Sequence, residues 1–360
     1  MSRVFISDCE GPISKNDNAY EVTAHFVPKG AKIFTVISRY DDALASILRR
    51  HGYKAGDTLK LVLPFLKAYG VTDQKMREFS AKNLVLVPGA KETVNHVKQA
   101  APSFIVSTSY EHYIEALCQA LEFPFANTYC TGVSFDKFTI TEREKSQLRQ
   151  IGKTMAQIPT FEVPASAESA KDLSESARTA IQLLDEIFWK EIAKMEIGRT
   201  YFEVKPIGGT EKAEAIIDIT HKLGMMLNDV VYVGDSITDE EAFKLVKRGG
   251  GLAVSFNGNQ YAVRNADIAV LSENSVVTAV LADIFINFGK QEVMSLVENW
   301  DLETVQRSGV TKDLLTRFFS LYPQKLPEVK MVTNDNMEAL VKQSSEFRKK
   351  VRGEAVGGLG

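Results

Sequence analysis

The 360-residue sequence lacks the features that mark secreted, membrane-spanning and nucleic-acid-binding proteins. Its three cysteines are an odd number without a C-x-x-C pair, which argues against a disulfide framework and fits a reducing cytoplasm. No apolar run approaches the roughly eighteen residues of a membrane span, and we see no signal peptide before the first predicted strand. Because the net charge is -3 and no strong basic cluster is present, we expect no nucleic-acid partner and predict a cytoplasmic protein.

Short apolar runs alternate with amphipathic stretches along much of the chain. Such runs are typical of buried parallel strands, and the amphipathic stretches between them are typical of crossover helices. The predicted strands are Val4–Ser7, Phe104–Ser107, Val230–Val233, Leu252–Ser255 and Ile268–Leu271. The sequence therefore predicts an α/β fold with a doubly wound parallel sheet, in which ligands bind at the carboxyl ends of the strands.

Three helical stretches do not belong to this alternation. Residues 14–84 predict a small helical cap inserted directly after the first strand. Residues from about 141 to 195 predict a polar helical insertion, and residues 286–360 predict a helical extension with a frayed, glycine-rich tail. The α/β core would then comprise residues 1–13 and 85–285.

The second half of the insertion has an apolar face that must be buried. Its members follow helical spacing: Ile181, Leu184, Ile187, Phe188 and Ile192. We favour packing of this face on the parent domain over binding of a partner. A protein partner or a homo-oligomer formed through the extra helices stays open.

The most informative segment for chemistry is Asp8-Cys9-Glu10, which follows the first predicted strand and ends at Gly11. Two carboxylates separated by one residue point to the same side, and together they can supply a nucleophile or metal ligand and an acid/base. Cys9 should point away from them because neighbours in a strand alternate. Taken alone, the pair is also explained by a turn with solvated acids.

Three further segments place polar side chains after strands or at the start of a helix. Ser107 ends the second predicted strand and would begin a helix, so its hydroxyl and the backbone N–H groups after it would face an anion at a helix N-terminus, although serine is also a common N-cap. Lys212 opens a predicted helix, where a cation opposes the helix dipole, so it either neutralises a phosphate or is simply solvated. Asp235 and Asp239 form a G-D-x-x-x-D motif after a strand, which suits Mg²⁺.

These motifs, in this order, resemble those of the haloacid dehalogenase superfamily of phosphotransferases, most closely its phosphoserine phosphatase-like branch. The resemblance covers roughly residues 1–285 apart from the insertion, and the segment 88–124 is also similar to that branch. The resemblance implies a Mg²⁺-dependent phosphatase that hydrolyses a small phosphorylated metabolite through an aspartyl-phosphate. Specificity would lie in the cap, which closes over the substrate.

The resemblance also implies individual roles. Asp8 would attack phosphorus, and Glu10 would protonate the leaving oxygen and later deprotonate water. The metal would be held by Asp8, Asp235 and the backbone carbonyl of Glu10. Ser107, Thr108 and Lys212 would bind the phosphoryl oxygens.

Asp239 would orient Lys212 or a metal-bound water. Candidates for recognising the rest of the substrate are the charged cap residues Asp17, Glu21, Arg49 and Arg50. The sequence does not identify that substrate.

The departure from the family pattern is Glu10, because most members carry aspartate there. A D-x-E first motif is similar to the phosphoserine:homoserine phosphotransferase-like group, so phosphoryl transfer to an acceptor alcohol is an alternative to hydrolysis. One extra methylene also allows a second alternative, because a misplacement of about 1 Å can cost about 10²-fold in rate. The chain would then be a catalytically weak scaffold or regulatory subunit.

Overall fold

The computed structural model describes residues 3–164, 167 and 169–359, and within them seven strands form one sheet. The strands are β1 (Val4–Ser7), β2 (Ser103–Tyr110), β3 (Thr128–Thr131), β4 (Val230–Gly234), β5 (Leu252–Phe256), β6 (Ile268–Leu271) and β7 (Glu328–Met331). Their order is β3-β2-β1-β4-β5-β6-β7. The first six strands are parallel, and β7 pairs antiparallel with β6.

The helices group according to the part of the chain that they build. The segment predicted to be a cap, which we continue to call the cap, contains α1 (Asn18–Phe26), α2 (Gly30–Asp42), α3 (Thr58–Ala68) and α4 (Asp73–Asn83). The core begins with α5 (Ala90–Ala100) and α6 (Glu111–Leu121), and the insertion and its exit contain α7 (Glu142–Gln157), α8 (Glu175–Asp185) and α9 (Thr200–Glu203). The core then continues with α10 (Thr210–Leu223), α11 (Glu240–Arg248), α12 (Gln260–Asn265) and α13 (Val276–Phe288).

The last group of helices follows the core. It contains α14 (Lys290–Glu298), α15 (Leu302–Arg307), α16 (Lys312–Leu321), α17 (Met337–Arg352) and α18 (Glu354–Gly357). No helix in the described part of the chain combines the length and the apolar character needed to cross a bilayer.

Strand β1 lies inside the sheet, between β2 and β4, and positions the candidate site. All four of its residues are buried, as expected for a parallel strand that is covered on both faces. Ser7 pairs with Ile105 of β2 on one side and with Val233 of β4 on the other. The segments that follow these three residues therefore meet at the carboxyl edge of the sheet. In such sheets, ligands usually bind where the connections that follow two neighbouring strands run in opposite directions.

The predicted doubly wound α/β fold is confirmed, and all five predicted strands are present. Strands β3 and β7 were not predicted. Both are short, with polar or charged residues in place of an apolar run, because β3 lies at one edge of the sheet and β7 at the other. The extension after residue 286 is thus not entirely helical, since β7 adds a seventh strand to the core sheet.

The cap and the insertion share one apolar cluster, which we call the helical unit. The apolar face of the insertion is buried in this cluster, and the Phe188 ring stacks on Tyr40 of the cap at a centroid distance of 5.6 Å. This face therefore packs within the chain, which is the alternative that we favoured over a partner-binding surface. It packs on the cap helices rather than on the sheet.

The glycine-rich tail is packed, and the prediction that it frays is wrong for its described residues. Leu359 is 6% exposed and joins the apolar cluster of the helical unit. The carbonyl of Gly358 accepts a hydrogen bond from Arg39 Nη2 at 2.7 Å. One apolar side chain and one backbone hydrogen bond thus dock the tail on the cap, whereas Gly360 lies outside the described residues.

We predict that Phe188→Ala destabilises the helical unit by about 3–5 kcal/mol, because it empties a fully buried aromatic site. The measurement is urea unfolding followed by tryptophan fluorescence, with Trp189 in the insertion and Trp300 in the C-terminal extension as reporters. Phe202→Ala is the matched control, since Phe202 is 74% exposed and its removal should change the free energy of unfolding by less than about 0.5 kcal/mol. Equal losses in the two variants would contradict the described packing.

Candidate active site

The loop after β1 presents Asp8 at the carboxyl edge of the sheet. The Asp8 side chain is buried, its Oδ1 accepts the backbone N–H of Cys9 at 2.6 Å, and its Oδ2 lies 2.7 Å from Lys212 Nζ. Gly11 adopts a φ of 103°, and a Cβ at this position would overlap the Asp235 carboxylate. Glycine is therefore required for the loop to turn this close to Asp235.

Lys212 is buried between two carboxylates. Its Nζ lies 2.7 Å from both Asp8 Oδ2 and Asp239 Oδ1. Asp239 is itself fully engaged: Oδ1 also accepts the Tyr232 hydroxyl at 2.6 Å, and Oδ2 accepts the backbone N–H of Asp235 at 2.9 Å. Asp239 therefore fixes both the lysine and the loop that follows β4.

The pKa values follow from burial and from these charges. Burial disfavours the Lys212 ammonium, but Asp239 and Asp8 outweigh burial and raise the pKa of Lys212 above its usual value. Burial also acts to raise the pKa of Asp239, yet Lys212 outweighs it and holds that pKa below the usual range. Burial raises the pKa of Asp8 to about 7 against the attraction of Lys212, so a further cation would favour the Asp8 carboxylate.

Asp235 offers the second carboxylate that faces the cavity. Its Oδ2 forms ion pairs with Arg348 and, at 2.9 Å, with Arg352 Nη1. Within the described residues, its Oδ1 has no hydrogen-bond partner.

The carboxylates fit a divalent cation. Asp8, Asp235 and Asp239 each present an oxygen, and these three atoms lie within 4.8 Å of one another. Each oxygen of Asp239 has at least two partners, whereas each oxygen of Asp8 has one and Asp235 Oδ1 has none among the described residues, so Asp8 and Asp235 are the better ligands. An all-oxygen set with a free carboxylate oxygen matches the preference of Mg²⁺.

Glu10 lies at the same cavity as Asp8. Its Oε1 accepts the backbone N–H of Asn18 at 2.7 Å, at the start of α1. Burial, together with the charge of Asp17, raises the pKa of Glu10 well above its usual range. Cys9, between the two acids, points into the core, and its pKa is raised by burial, so it is not an activated thiol.

Ser107 and Thr108 line the cavity from β2. Ser107 Oγ accepts the backbone N–H of Ser109 at 3.2 Å. Thr108 Oγ1 is buried and, among the described residues, has no hydrogen-bond partner. The expectation of a helix N-terminus at Ser107 is wrong, because β2 continues to Tyr110 and α6 begins only at Glu111.

The cavity has a volume of about 100 Å³ and lies between the carboxyl edge of the sheet and the helical unit. The predicted residues that line it are Asp8, Glu10, Asp17, Ser107, Thr108 and Asp235. Lys212 and Asp239 lie behind Asp8 and Asp235.

Three of the candidate cap residues are not brought to this cavity. Glu21 accepts hydrogen bonds from Asn16 Nδ2, Arg49 is exposed at the surface, and Arg50 pairs with Asp185 at 2.6 Å. Of the four cap candidates, only Asp17 lines the cavity.

Sequence reasoning missed two arginines in the cavity, Arg348 and Arg352. Both lie on α17, beyond the part of the chain that the resemblance covers. A helical signal was available, because Leu340, Ser344, Arg348 and Arg352 recur at intervals of four residues and therefore share one face. Because the two arginines share a helix face with an apolar leucine, this spacing indicates that their charged side chains are buried as well.

A family model and a solved structure each match more than half of this chain. A family model described as haloacid dehalogenase-like hydrolase matches residues 77–282, more than half of the chain. The structure of a gene product from Archaeoglobus fulgidus aligns over 100% of this chain and 99% of its own, with a TM-score of 0.81 and 26% sequence identity. An apo phosphoserine phosphatase structure aligns over 81% of this chain and 100% of its own, with a TM-score of 0.46 and 13% identity.

A curated relative covers a shorter region. The trehalose-6-phosphate phosphatase of Escherichia coli is 30% identical over 112 residues, which are 29% of this chain and 41% of that protein. The chain thus spans less than half the length of this curated relative.

We predict that Lys212→Met destabilises the protein by about 3–5 kcal/mol, because it leaves two buried carboxylates without their cation. Adding Asp8→Asn should recover part of this loss by removing one of the two charges. Both effects can be measured by urea unfolding.

The control is Lys222→Met on the same helix, α10, where the lysine side chain is 61% exposed and pairs with Asp218 on the surface. We expect little change in this variant. A Lys212→Met protein as stable as the Lys222→Met protein would show that Lys212 is not the buried counter-ion.

Proposed function

Because the chain belongs to the haloacid dehalogenase-like hydrolases, we propose that it is a Mg²⁺-dependent phosphatase that hydrolyses a small phosphomonoester through an aspartyl-phosphate. The observation that supports this most is the placement of Asp8, a buried carboxylate at the cavity with Lys212 at 2.7 Å on one side and Asp235 on the other. A nucleophile between a fixed cation and a metal ligand suits phosphoryl transfer.

The metal would be held by Asp8, Asp235 and the backbone carbonyl of Glu10. When bound, Mg²⁺ supplies positive charge that neutralises the phosphoryl oxygens. Lys212 adds a second positive charge from behind Asp8. Its ion pair with Asp239 fixes the ammonium before the reaction, so no solvent has to reorganise when negative charge develops on the phosphoryl group.

In the first step, a carboxylate oxygen of Asp8 attacks phosphorus, and the bond from phosphorus to the ester oxygen breaks. Glu10 donates its proton to the departing oxygen. The position of Glu10 at the cavity, two residues after Asp8, supports this role, and burial favours the protonated form that an acid needs.

In the second step, a water molecule attacks the aspartyl-phosphate, and the Glu10 carboxylate takes the proton of that water. Inorganic phosphate leaves and the Asp8 carboxylate is restored. We propose that Ser107, Thr108 and Lys212 bind the phosphoryl oxygens throughout. The buried Thr108 hydroxyl has no hydrogen-bond partner among the described residues. This supports a phosphoryl oxygen as the acceptor of its hydrogen bond.

The substrate is proposed to be a small phosphorylated metabolite, because the helical unit covers a cavity of only about 100 Å³. Transfer to an acceptor alcohol would use the same aspartyl-phosphate. We propose hydrolysis because the matching family is one of hydrolases. The fully paired Lys212 and Asp239 also support an active enzyme over a scaffold, since a scaffold gains nothing from burying them. Binding of a protein partner, or of a second copy, through the extra helices stays a prediction.

We predict that Asp8→Asn lowers the release of phosphate from an aryl phosphate by at least about 10³-fold, because it removes the nucleophile. The measurement is colorimetric phosphate release with Mg²⁺ present. Asp218→Asn, which neutralises an exposed carboxylate on α10, should keep the wild-type rate. A rate that Asp8→Asn leaves unchanged would rule out the proposed mechanism.

We further predict that removal of divalent cations by a chelator abolishes phosphate release and that added Mg²⁺ restores it. Independently of turnover, Mg²⁺ should raise the melting temperature of the wild-type protein, because it relieves repulsion between Asp8 and Asp235. Asp235→Asn should lose this rise, whereas Asp218→Asn should keep it. An equal rise in Asp235→Asn and wild-type protein would exclude Asp235 as a ligand.

A further inference from the structure

Helix α17 brings two arginine side chains to the cavity of the candidate active site. Leu340 and Ser344 are buried on the same face, and Ser344 Oγ donates to the carbonyl of Gly258 at 2.6 Å, which fixes the helix on the core. Arg348 and Arg352 follow on this face, and each side chain is only 4% exposed. Charged groups are seldom buried this deeply unless they are paired.

The hydrogen bonds of Arg352 explain its burial. Its Nε donates to the carbonyl of Lys15 at 3.0 Å, its Nη2 donates to the carbonyl of Asn16, and its Nη1 donates to Asp235 Oδ2 at 2.9 Å. Arg352 thus ties the segment between β1 and α1, where the chain enters the cap, to the loop after β4. We regard it as a positioning residue.

The contacts of Arg348 leave part of its hydrogen-bonding capacity unused. Its Nη1 donates to the carboxylate and, at 3.3 Å, to the carbonyl of Asp235, and its guanidinium makes no other hydrogen bond to the described residues. Its Nε is buried without a partner. Because a guanidinium has five donor hydrogens and a buried donor without a partner costs free energy, Arg348 is poised for a further acceptor.

The contacts around the cavity indicate where this acceptor would lie. Both arginines line the cavity together with Glu10 and Asp17. Arg352 and Glu10 hold the same short segment, because Arg352 bonds the carbonyls of Lys15 and Asn16 and Glu10 bonds the backbone N–H of Asn18. The arginines therefore lie on the side of Glu10 and Asp17, whereas Lys212 contacts Asp8. In the proposed reaction, the side of Glu10 receives the leaving group.

We propose that Arg348 binds an anionic oxygen on the leaving group, so that the enzyme selects phosphomonoesters that carry a second acidic group. This inference rests on the proposed function, because it takes Glu10 as the acid for the leaving oxygen. A carboxylate and a second phosphate both present oxygens that match the guanidinium fork. Arg352 holds the neighbouring backbone in place for this contact.

Matched esters test the proposal. Propyl phosphate and 3-phosphonooxypropanoate differ in a methyl group against a carboxylate, and ethane-1,2-diol bisphosphate offers a second phosphate instead. For wild-type protein, we expect kcat/KM for one of the two acidic esters to exceed that for propyl phosphate by about 10-fold or more, the factor that a hydrogen bond to a charged group supplies. The preferred acidic ester shows whether the second acidic group of the substrate is a carboxylate or a phosphate.

Arg348→Met should reduce this ratio to less than about 3-fold, and Arg348→Lys should restore part of it, because lysine keeps the charge but not the fork. Lys349→Met is the matched control, since it removes a charge from the same helix at a half-exposed position outside the cavity, and it should keep the wild-type ratio. A wild-type ratio near one, or a ratio that Arg348→Met leaves unchanged, would overturn the proposal. The wild-type ratio and Arg348→Lys decide the matter if Arg348→Met does not fold.

A binding measurement separates this inference from the proposed function. In the Asp8→Asn background, the favoured acidic ester should raise the melting temperature more than propyl phosphate does, and Arg348→Lys should reduce the difference. If no ester is hydrolysed by wild-type protein, the proposed function is wrong, and these melting temperatures still decide whether Arg348 recognises a second anion. An equal rise with acidic and propyl esters would refute that recognition.

Discussion

The arrangement of the site depends on one buried cation, Lys212, held between Asp8 and Asp239. Removing these charges from water is costly, and the geometry offsets that cost only because each carboxylate lies 2.7 Å from the ammonium. The contact joins the end of β1, the start of α10 and the loop after β4. Because replacing buried ion pairs by apolar residues of similar volume is often neutral for stability, the retained charges support our proposal of a functional role. The result is a fixed cation beside a carboxylate that faces the cavity.

A second constraint comes from the segments that enclose the cavity. The insertion packs on the cap, and the two together form the helical unit over the carboxyl edge of the sheet. Helix α17 and the tail then connect this unit with the core, because Arg352 bonds the backbone at the entrance to the cap and Gly358 bonds Arg39. The last residues described therefore contact both the cap and the segment beside the cavity.

Much of the sheet and most of the site residues could be predicted because they depend on local patterns. Apolar runs indicate buried parallel strands, and carboxylates that follow such strands meet at one edge of the sheet, as Asp8 and Asp235 do. The edge strands β3 and β7 lack this signal, since a strand with one neighbour needs no continuous apolar run. The role of Arg348 depends on where α17 docks. The four-residue spacing on α17 marks the face that is buried, but it does not show which part of the core that face contacts.

The proposed function depends most on the aspartyl-phosphate, in which the phosphoryl group is bound covalently to Asp8. The most direct measurement is to mix the protein with Mg²⁺ and a phosphomonoester, quench the reaction in acid during turnover, and locate any bound phosphoryl group by peptide mass spectrometry. The account predicts one phosphoryl group on the peptide that contains Asp8, with the modification at that residue. Turnover without any phosphorylated peptide, or a phosphoryl group on another residue, would contradict it.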